Sequence, residues 1–438
     1  MNLFRIFLYL LLTLAAGAAA RAQGGTPLSL ADCRAQALAR SETLRQADNR
    51  VQQAELDRRN ATSAALPRFD ASASAAYVVP DIDMLGMELR MRGMYLAGLT
   101  LTQPLYTGGI IRTGKRLARI GQAVAAEQLR QARMDVIEEA DKTYWTCIAV
   151  RSQVTLLEAC VAQLDTLYLQ TRRAVDVGLA MDNDLLRVEA RRSDLRYQLQ
   201  KARNGAELCR QSLCSLIGAD PEARFELTED PDAPAAVGPL PTDVAARPEI
   251  RLLQQQAEAS REQVRLTRAD RLPTVAFMAG YTYYGNIRLH VPASAADPYV
   301  PATTQEFRDG IGAAMLTVSI PLFHWGENRR KEQKARLEAD NAQLELQRVG
   351  RQLQLQASQA AYNLTDADVL VQTARVGLQQ ADEHLRVTQS RHAAQLATLS
   401  DLLDAQTQWQ QARSHLIEAQ TQRRICETEY RRATGILE

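Results

Sequence analysis

The stretch that decides the fold is residues 101–109, which read LTQPLYTGG. An alternation of apolar and polar side chains ends here, and we expect strand pairing to lapse at Pro104, because proline cannot donate to a ladder. Gly108 and Gly109 then permit a sharp turn. From Gly109 to about residue 176 the chain contains no further proline. The stretch therefore predicts a strand that passes directly into a long helix.

The same junction recurs later in the chain. Pro321 opens the tripeptide PLF, 217 positions after the PLY that begins at Pro104. The same offset relates the DLL at 184–186 to the DLL at 401–403. It also relates Gly218 to Gly435 and Cys209 to Cys426. Such coincidences at one offset indicate an internal duplication. We predict a first structural repeat over 23–220, a connector rich in Pro, Asp and Ala over 221–245, and a second repeat over 246–438.

Each repeat is predicted to contain a helix, two strands joined by a loop, and a long helical hairpin. The strands lie near 68–80, 94–103, 273–284 and 311–321, where alternate residues are apolar. A soluble strand hairpin would show the same alternation, but strands of about ten residues with small or aromatic apolar faces fit a barrel in lipid. Four strands cannot close a barrel, and lipid does not tolerate open edges. If the strands are in the membrane, several subunits must close it, and three are the smallest number expected to leave a lumen.

The helices are predicted to be unusually long and to pack side by side. Apolar residues recur with the 3-4 spacing of a coiled coil in both repeats. They are Val154, Leu157, Val161, Leu164 and Tyr168 in the first, and Leu402, Ala405, Trp409, Ala412 and Leu416 in the second. Such narrow seams build a wall of helices with little interior. The predicted fold class is mainly α with a small β part, in which a long helical barrel of coiled-coil hairpins continues into a transmembrane β-barrel.

The first 22 residues are better explained as a signal peptide than as structure. Arg5 precedes an apolar run over 6–14, and small residues lead to an A-x-A site at 20–22. An N-terminal membrane anchor is the alternative, which the shortness of the apolar run disfavours. No later run of eighteen apolar residues occurs, so contact with a membrane would have to be made by strands.

Composition excludes several classes of function. The formal net charge is +1, and the sequence contains no basic block that could follow a phosphate backbone, so no nucleic-acid partner is expected. The five histidines are scattered, and the six cysteines form neither a C-x-x-C pair nor a cluster with histidine at metal-ligand spacing. We predict no metal, no other cofactor and no enzymatic activity. The cysteines are expected to be buried as small apolar residues. A disulfide formed in an oxidising compartment is the alternative, and the sequence does not assign one.

Four stretches together resemble the TolC-like outer-membrane efflux protein family, over nearly all of the mature sequence. They are LSLADC at 28–33, LTQPLYTGG at 101–109, RPEI at 247–250 and RLP at 271–273. The resemblance implies a homotrimer with a twelve-stranded barrel in the outer membrane of a Gram-negative bacterium and a periplasmic helical barrel closed at its far tip. It also implies contact with outer-membrane lipid, and a periplasmic adaptor (membrane fusion) protein and an inner-membrane pump as partners.

The resemblance further implies working residues at the far tip. Asp401 and Asp404 match the family's aspartates at a pore constriction, and Asp184 matches one in the first repeat. Three copies of a carboxylate pair around a narrow axis would repel each other and attract cations. On a solitary helix, the polar stripe that contains Asp401 and Asp404 would simply be the solvated face.

The hairpin turns supply further candidates. Val177, Gly178 and Leu179 would be docking points for the adaptor, unless they are ordinary turn residues. Family members add a Tyr and an Arg that latch the gate, and those positions here carry His392 and Ala397. A histidine at a latch position would make gating sensitive to pH. The strand–helix junctions at Pro104, Gly108, Gly109 and Pro321 complete the candidate set. Trp325 departs from the pattern, because it stands where Gly108 does.

The predicted function is an exit duct, the outer-membrane channel of a tripartite efflux or type I secretion system. It would pass substrates from pump and adaptor across the periplasm and the outer membrane. The alternative is a non-conducting structural or adhesive coiled-coil protein at the cell surface. The repeated strand pairs with polar alternate faces favour the duct, because a stalk needs no lumen. The sequence does not identify the transported substrate or the pump family.

Overall fold

The computed structural model describes residues 26–84, 87–232, 240–291, 293, 301–323 and 325–437. It confirms the predicted mainly helical fold with a smaller strand part. The predicted signal peptide lies outside the described residues, as do residues 233–239 of the predicted connector. The helices in chain order are α1 (Leu30–Arg40), α2 (Glu42–Ser63), α3 (Ile110–Asp176), α4 (Asp182–Ile217), α5 (Pro248–Ala269), α6 (Glu327–Ala393) and α7 (Leu399–Thr434). The strands are β1 (Thr26–Leu28), β2 (Arg68–Tyr77), β3 (Ile82–Met84), β4 (Met87–Arg90), β5 (Arg92–Thr107), β6 (Phe225–Leu227), β7 (Thr274–Val291) and β8 (Thr303–Ser319).

The chain divides into two compact units. The described residues of the hairpin unit are those up to Asn49, those within Ala126–Leu252 and those from Gln347 onward. The strand unit contains Arg50–Ala125 and Leu253–Leu346. Each unit draws on both halves of the sequence, because the long helices α3 and α6 contribute to both.

Two helical hairpins of equal dimensions account for most of the helix. In the first hairpin, α3 has 67 residues and α4 has 36, and α6 and α7 repeat these lengths in the second. Every helix of the second hairpin begins and ends 217 positions after its counterpart. At about 1.5 Å per residue, the longer helices are about 100 Å long. Both α4 and α7 end at a glycine with left-handed backbone, Gly218 (φ 64°) and Gly435 (φ 76°).

Four long antiparallel strands form the sheet of the strand unit. They pair in the order β2, β5, β7, β8, and the short strands β3 and β4 extend the sheet beside the far end of β7. Strands β7 and β8 run well into the stretch predicted as a loop between them, because their ladder continues as far as Val291↔Thr303. Within the described chain, β2 pairs only with β5 and β8 only with β7. The sheet is therefore open at both outer strands.

Strand pairing does not end at Pro104, contrary to the prediction. Pro104 stays opposite Ala276 and the ladder runs on to Thr107↔Thr274. The register shifts between Pro104 and Tyr106, so one extra residue is accommodated as a bulge. The bulge absorbs the missing donor of the proline while the flanking pairs persist. In the second repeat β8 does end just before Pro321, as predicted.

The seams of the two helical hairpins form the main core of the hairpin unit. Leu157, Leu164, Val188 and Leu195 of the first hairpin are buried in one cluster with Leu402 of the second. Part of α3 is apolar enough for a membrane span by length and composition, the one such helix among the described residues (mean hydropathy 1.2). A packed core helix passes the same test, and α3 supplies Leu157 and Leu164 to this cluster.

The N-terminal segment and the connector lie against the helices of the hairpin unit. β1 pairs in parallel with β6, with Leu28 opposite Leu227, and this small sheet was not predicted. The Tyr144 hydroxyl donates to the Leu28 carbonyl (2.9 Å), and the Tyr430 hydroxyl donates to the carbonyl of Pro241 (2.8 Å). The described part of the connector therefore packs along the helical hairpins.

Candidate channel tip and strand–helix junctions

The first hairpin turns at Gly178, whose backbone is left-handed (φ 75°). The Leu179 amide donates to the Ala174 carbonyl (2.7 Å), and the Gly178 amide donates to the Val175 carbonyl (2.9 Å). These two bonds are a Schellman motif, which satisfies the last carbonyls of α3. The motif directs Val177 and Leu179 outward, and 79 % of Leu179 is exposed.

The second hairpin turns in the same way, although glutamine replaces the glycine. Gln395 is left-handed (φ 59°), and the Leu396 amide donates to the Arg391 carbonyl (2.8 Å). His392 closes the turn from the side, with its Nδ1 3.1 Å from the carbonyl oxygen of Ala397. The two residues at the predicted latch positions, His392 and Ala397, thus contact each other within one turn. His392 also lines an open groove of about 400 Å³, in which Gln163, Gln170 and Gln389 are mixed with apolar residues such as Leu167.

Asp401 caps the helix that follows this turn. Thr398 is the N-cap of α7, and its hydroxyl accepts a hydrogen bond from the Asp401 amide (3.2 Å). The Asp401 carboxylate in turn accepts from the backbone amide (2.9 Å) and the hydroxyl (2.8 Å) of Thr398. These bonds, the backbone one first, lower the pKa of Asp401, and Arg391 adds a smaller attraction. Asp401 is therefore ionised, exposed and held in one orientation.

The other two candidate aspartates are less constrained. Asp404 lies one turn further along α7, is exposed and forms no hydrogen bond or ion pair with another described residue. Asp184 is half-buried in the first turn of α4. The residue at its N-cap is Met181, so that helix has no side-chain cap. One chain does not bring Asp184 into contact with the aspartates of α7.

The polar stripe of α7 is solvent-exposed throughout its length. Asp401 and Asp404 begin it, and Gln408, Gln411, His415, Glu418 and Gln422 continue it. Near its far end, His415, Glu418 and Gln422 border a mainly apolar groove of about 450 Å³ between α6 and α7. The stripe is thus one exposed face of α7, in which the carboxylates of Asp401 and Asp404 lie nearest the hairpin turn.

Two exposed residues of the turns were missed by sequence reasoning. Leu396 is 70 % exposed and stands 217 positions after Leu179, while Met181 follows the first turn and is also exposed. The repeat offset was the signal that could have found Leu396. The capping box could also have been found, because Thr398 and Asp401 have the T-x-x-D spacing before an apolar run.

The strand–helix junctions require glycine for steric reasons in the first repeat. A Cβ on Gly108 (φ 61°) would lie 2.8 Å from the Cβ of Leu272 and 2.9 Å from the carbonyl oxygen of Ala269. Gly109 also has a left-handed backbone (φ 98°). In the second repeat Trp325 adopts the left-handed conformation (φ 48°) with its side chain exposed, and Gly326 (φ 76°) follows.

Long strands that lead through such junctions into paired helical hairpins are the architecture of outer-membrane efflux channels. The chain matches the model of the outer membrane efflux protein family over residues 34–219 and 244–436, and it belongs to that family. The outer membrane efflux protein BepC of Brucella suis is 24 % identical over 331 residues, which cover 74 % of this chain and 68 % of BepC.

Solved structures with the same fold include two outer-membrane proteins. VceC of Vibrio cholerae is 18 % identical with a TM-score of 0.76, over 93 % of this chain and 96 % of VceC. The CmeC outer membrane channel of Campylobacter jejuni is 18 % identical with a TM-score of 0.77, over 93 % of this chain and 85 % of CmeC. The predicted family, fold class, function and location are thereby confirmed. The protein is an outer-membrane efflux channel that reaches into the periplasm, and its family is one of channels rather than enzymes.

Proposed function

We propose that the channel is a homotrimer that works with a periplasmic adaptor protein and an inner-membrane pump. The observation that carries the trimer is the open sheet, in which β2 and β8 each lack a second partner in the described chain. An unpaired edge in lipid leaves backbone groups without hydrogen bonds. Pairing of β8 with β2 of a neighbouring subunit removes both edges. Three subunits then supply twelve long strands, enough for a lumen.

The far tip of each subunit would carry the constriction. Asp401 and Asp404 lie on an exposed face of α7 directly after the hairpin turn, and the capping box orients Asp401. Around a three-fold axis these side chains and Asp184 would form rings of carboxylates. Such rings attract cations and are closed by bound polyvalent cations.

The hairpin turns would be the docking points for the adaptor. Val177 and Leu179 are exposed on either side of Gly178, and Leu396 and Met181 extend this apolar surface. His392 occupies the latch position of the second turn. Its contact with the Ala397 carbonyl would have to open before it reached another subunit. Opening that contact is then part of the gating step.

The organisation of the precursor completes the proposal. Residues 1–22 would be removed as a signal peptide, and the duct would consist of two repeats, 23–220 and 246–438, joined by the connector 221–245. The equal lengths of the hairpin helices in the two halves support this division.

Conductance measurements test the duct and its constriction. The purified protein is expected to have the mass of a trimer and to give cation-selective single channels in planar bilayers. The double change Asp401→Asn with Asp404→Asn keeps hydrogen-bond acceptors but removes the charges, so it should weaken block by hexaamminecobalt at least tenfold. Asp366→Asn, an exposed aspartate of α6, is the control. A monomer without conductance would overturn the trimeric duct, whereas unchanged block would overturn only the aspartate constriction.

A further inference from the structure

Basic side chains are concentrated at the helix ends that adjoin the strands. Three stretches of the strand unit, 110–119, 261–271 and 327–336, contain 13 Lys and Arg but only 4 Asp and Glu. The whole chain is nearly balanced, with 52 basic and 51 acidic residues. The sequence did not reveal a basic block, because the three stretches are far apart in the chain. We call the 13 residues the basic collar. They are Arg112, Lys115, Arg116, Arg119, Arg261, Arg265, Arg268, Arg271, Arg329, Arg330, Lys331, Lys334 and Arg336.

The dipole of α3 does not explain the four basic residues near its start. The N-terminus of a helix carries a partial positive charge, which favours acidic side chains and disfavours basic ones within the first turn. The first turn of α3 nevertheless contains Arg112 and no acidic residue, and Lys115, Arg116 and Arg119 follow within the next two turns. The helix dipole therefore favours the basic residues at the end of α5 but not the four near the start of α3.

Two buried glutamates arrange the collar from inside. Arg268 (2.7 Å), Arg271 (2.8 Å) and Arg336 (2.6 Å) all contact the carboxylate of Glu332. Glu332 is only 9 % exposed, whereas Arg268 and Arg336 are more than half exposed. Glu262 holds Arg116 and Arg265 in the same way. The charges of Glu262 and Glu332 thus lie beneath the surface, while the exposed guanidinium groups keep further hydrogen-bond donors free for other partners.

Exposed aromatic rings stand between the collar and the sheet. The rings of Phe323 and Trp325 pack edge to face with their centroids 5.0 Å apart, directly before the first residue of α6. Both are largely exposed, and Tyr106 is exposed at the end of β5. Trp and Tyr are enriched where a membrane meets water. Passing from strand to helix, the surface changes from aromatic to strongly basic.

We propose that the basic collar binds the phosphate groups of anionic glycerophospholipids in the periplasmic leaflet of the outer membrane. The proposal rests on the strands being the membrane-spanning part of the channel. The aromatic rings would lie at the level of the headgroups, and the collar would meet the phosphates from the periplasmic side. Each exposed Lys or Arg near an anionic surface strengthens binding by roughly fivefold. The collar would thereby set the depth of the channel in the bilayer.

Lipid selectivity of the purified full-length protein tests the proposal. Binding of fluorescent phosphatidylglycerol and phosphatidylcholine is measured by anisotropy in a neutral detergent, at 50 mM and 500 mM NaCl. The wild type is expected to prefer phosphatidylglycerol at low salt, and screening should reduce the preference at high salt. The variant Arg112→Gln, Arg119→Gln, Arg329→Gln should lose at least about tenfold of this preference. The variant in which the same three arginines are changed to Lys should retain the preference for phosphatidylglycerol.

A matched control removes the same charge from the hairpin unit, by Arg151→Gln, Arg187→Gln and Arg413→Gln. All six arginines are exposed, and none forms an ion pair with another described residue. The proposal is overturned by a wild type without selectivity or by equal losses in both glutamine variants. Conductance in neutral bilayers is measured separately. It should persist in the collar variant, so a failed duct and a failed lipid site give different results.

Discussion

Gln395 occupies at the second hairpin turn the left-handed backbone position that Gly178 occupies at the first. The two residues are 217 positions apart, and their φ angles are 59° and 75°. Both turns use the same pair of hydrogen bonds, one from the left-handed residue and one from the leucine after it. The duplication has therefore kept the turn geometry while one copy has lost the residue that adopts it most easily.

Gln395→Gly is expected to stabilise the protein by about 1 kcal/mol, because a side chain in the left-handed region strains the backbone. The measurement is the thermal unfolding of the purified channel, with hydrogen exchange of the second turn as a local readout. Gly178→Gln is the mirror experiment in the first turn and should destabilise by a similar amount. Unchanged hydrogen exchange at the second turn of Gln395→Gly would show that the strain at Gln395 is relieved elsewhere.

Met181→Thr is expected to stabilise the start of α4 by about 1 kcal/mol. The change places a hydroxyl where α7 has Thr398, three residues before Asp184, and so rebuilds the missing capping box. Met181→Ala removes the same exposed side chain without supplying a cap, and it should give no gain. Equal stability of the two variants in urea unfolding would contradict the capping argument.

The stabilising effect of the Thr398–Asp401 capping box is expected to depend on pH. The pKa of Asp401 is lowered in the folded protein, so its contribution is present above the ordinary aspartate pKa of 3.8 and is lost as pH falls through the lower folded value. Thr398→Ala should therefore lower the melting temperature at pH 7 and have a smaller effect at a pH below the folded pKa of Asp401. Thr398→Ser keeps the hydroxyl and should match the wild type at both pH values.

Asp141 is a charged residue in the interior of the hairpin unit. It is fully buried, accepts hydrogen bonds from Nε and Nη2 of Arg34 (2.6 Å each) and accepts another from the Thr428 hydroxyl (2.7 Å). Asp141→Ala is expected to cost about 3 kcal/mol, because Arg34 loses the buried carboxylate that accepts two of its hydrogen bonds. Asp135→Ala is the control. Asp135 is half exposed beside Arg432, so its loss should cost less than about 1 kcal/mol in chemical unfolding.

Much of the fold was readable from the sequence, because its signals are local. The alternation of the strands and the 3-4 spacing of the seams act over a few residues, and the repeat offset of 217 matches the hairpin helices end to end. The turn at Gly178 was predicted for the same reason. Among the candidate site residues, Asp401 and Asp404 proved exposed, as the polar stripe indicated. The capping box that Asp401 forms with Thr398 was overlooked, although the spacing of these two residues was visible in the sequence.

The tertiary structure alone decided the features that join distant parts of the chain. The pairing of β1 with β6, the burial of Asp141 against Arg34 and the bulge that carries β5 past Pro104 leave no periodic trace in the sequence. The basic collar belongs to the same group, because Glu332 gathers arginines from two distant segments onto one carboxylate. Local patterns determine which elements form, since they depend on backbone geometry over a few residues. Which elements meet depends on packing and charge compensation between segments that only the folded chain brings together.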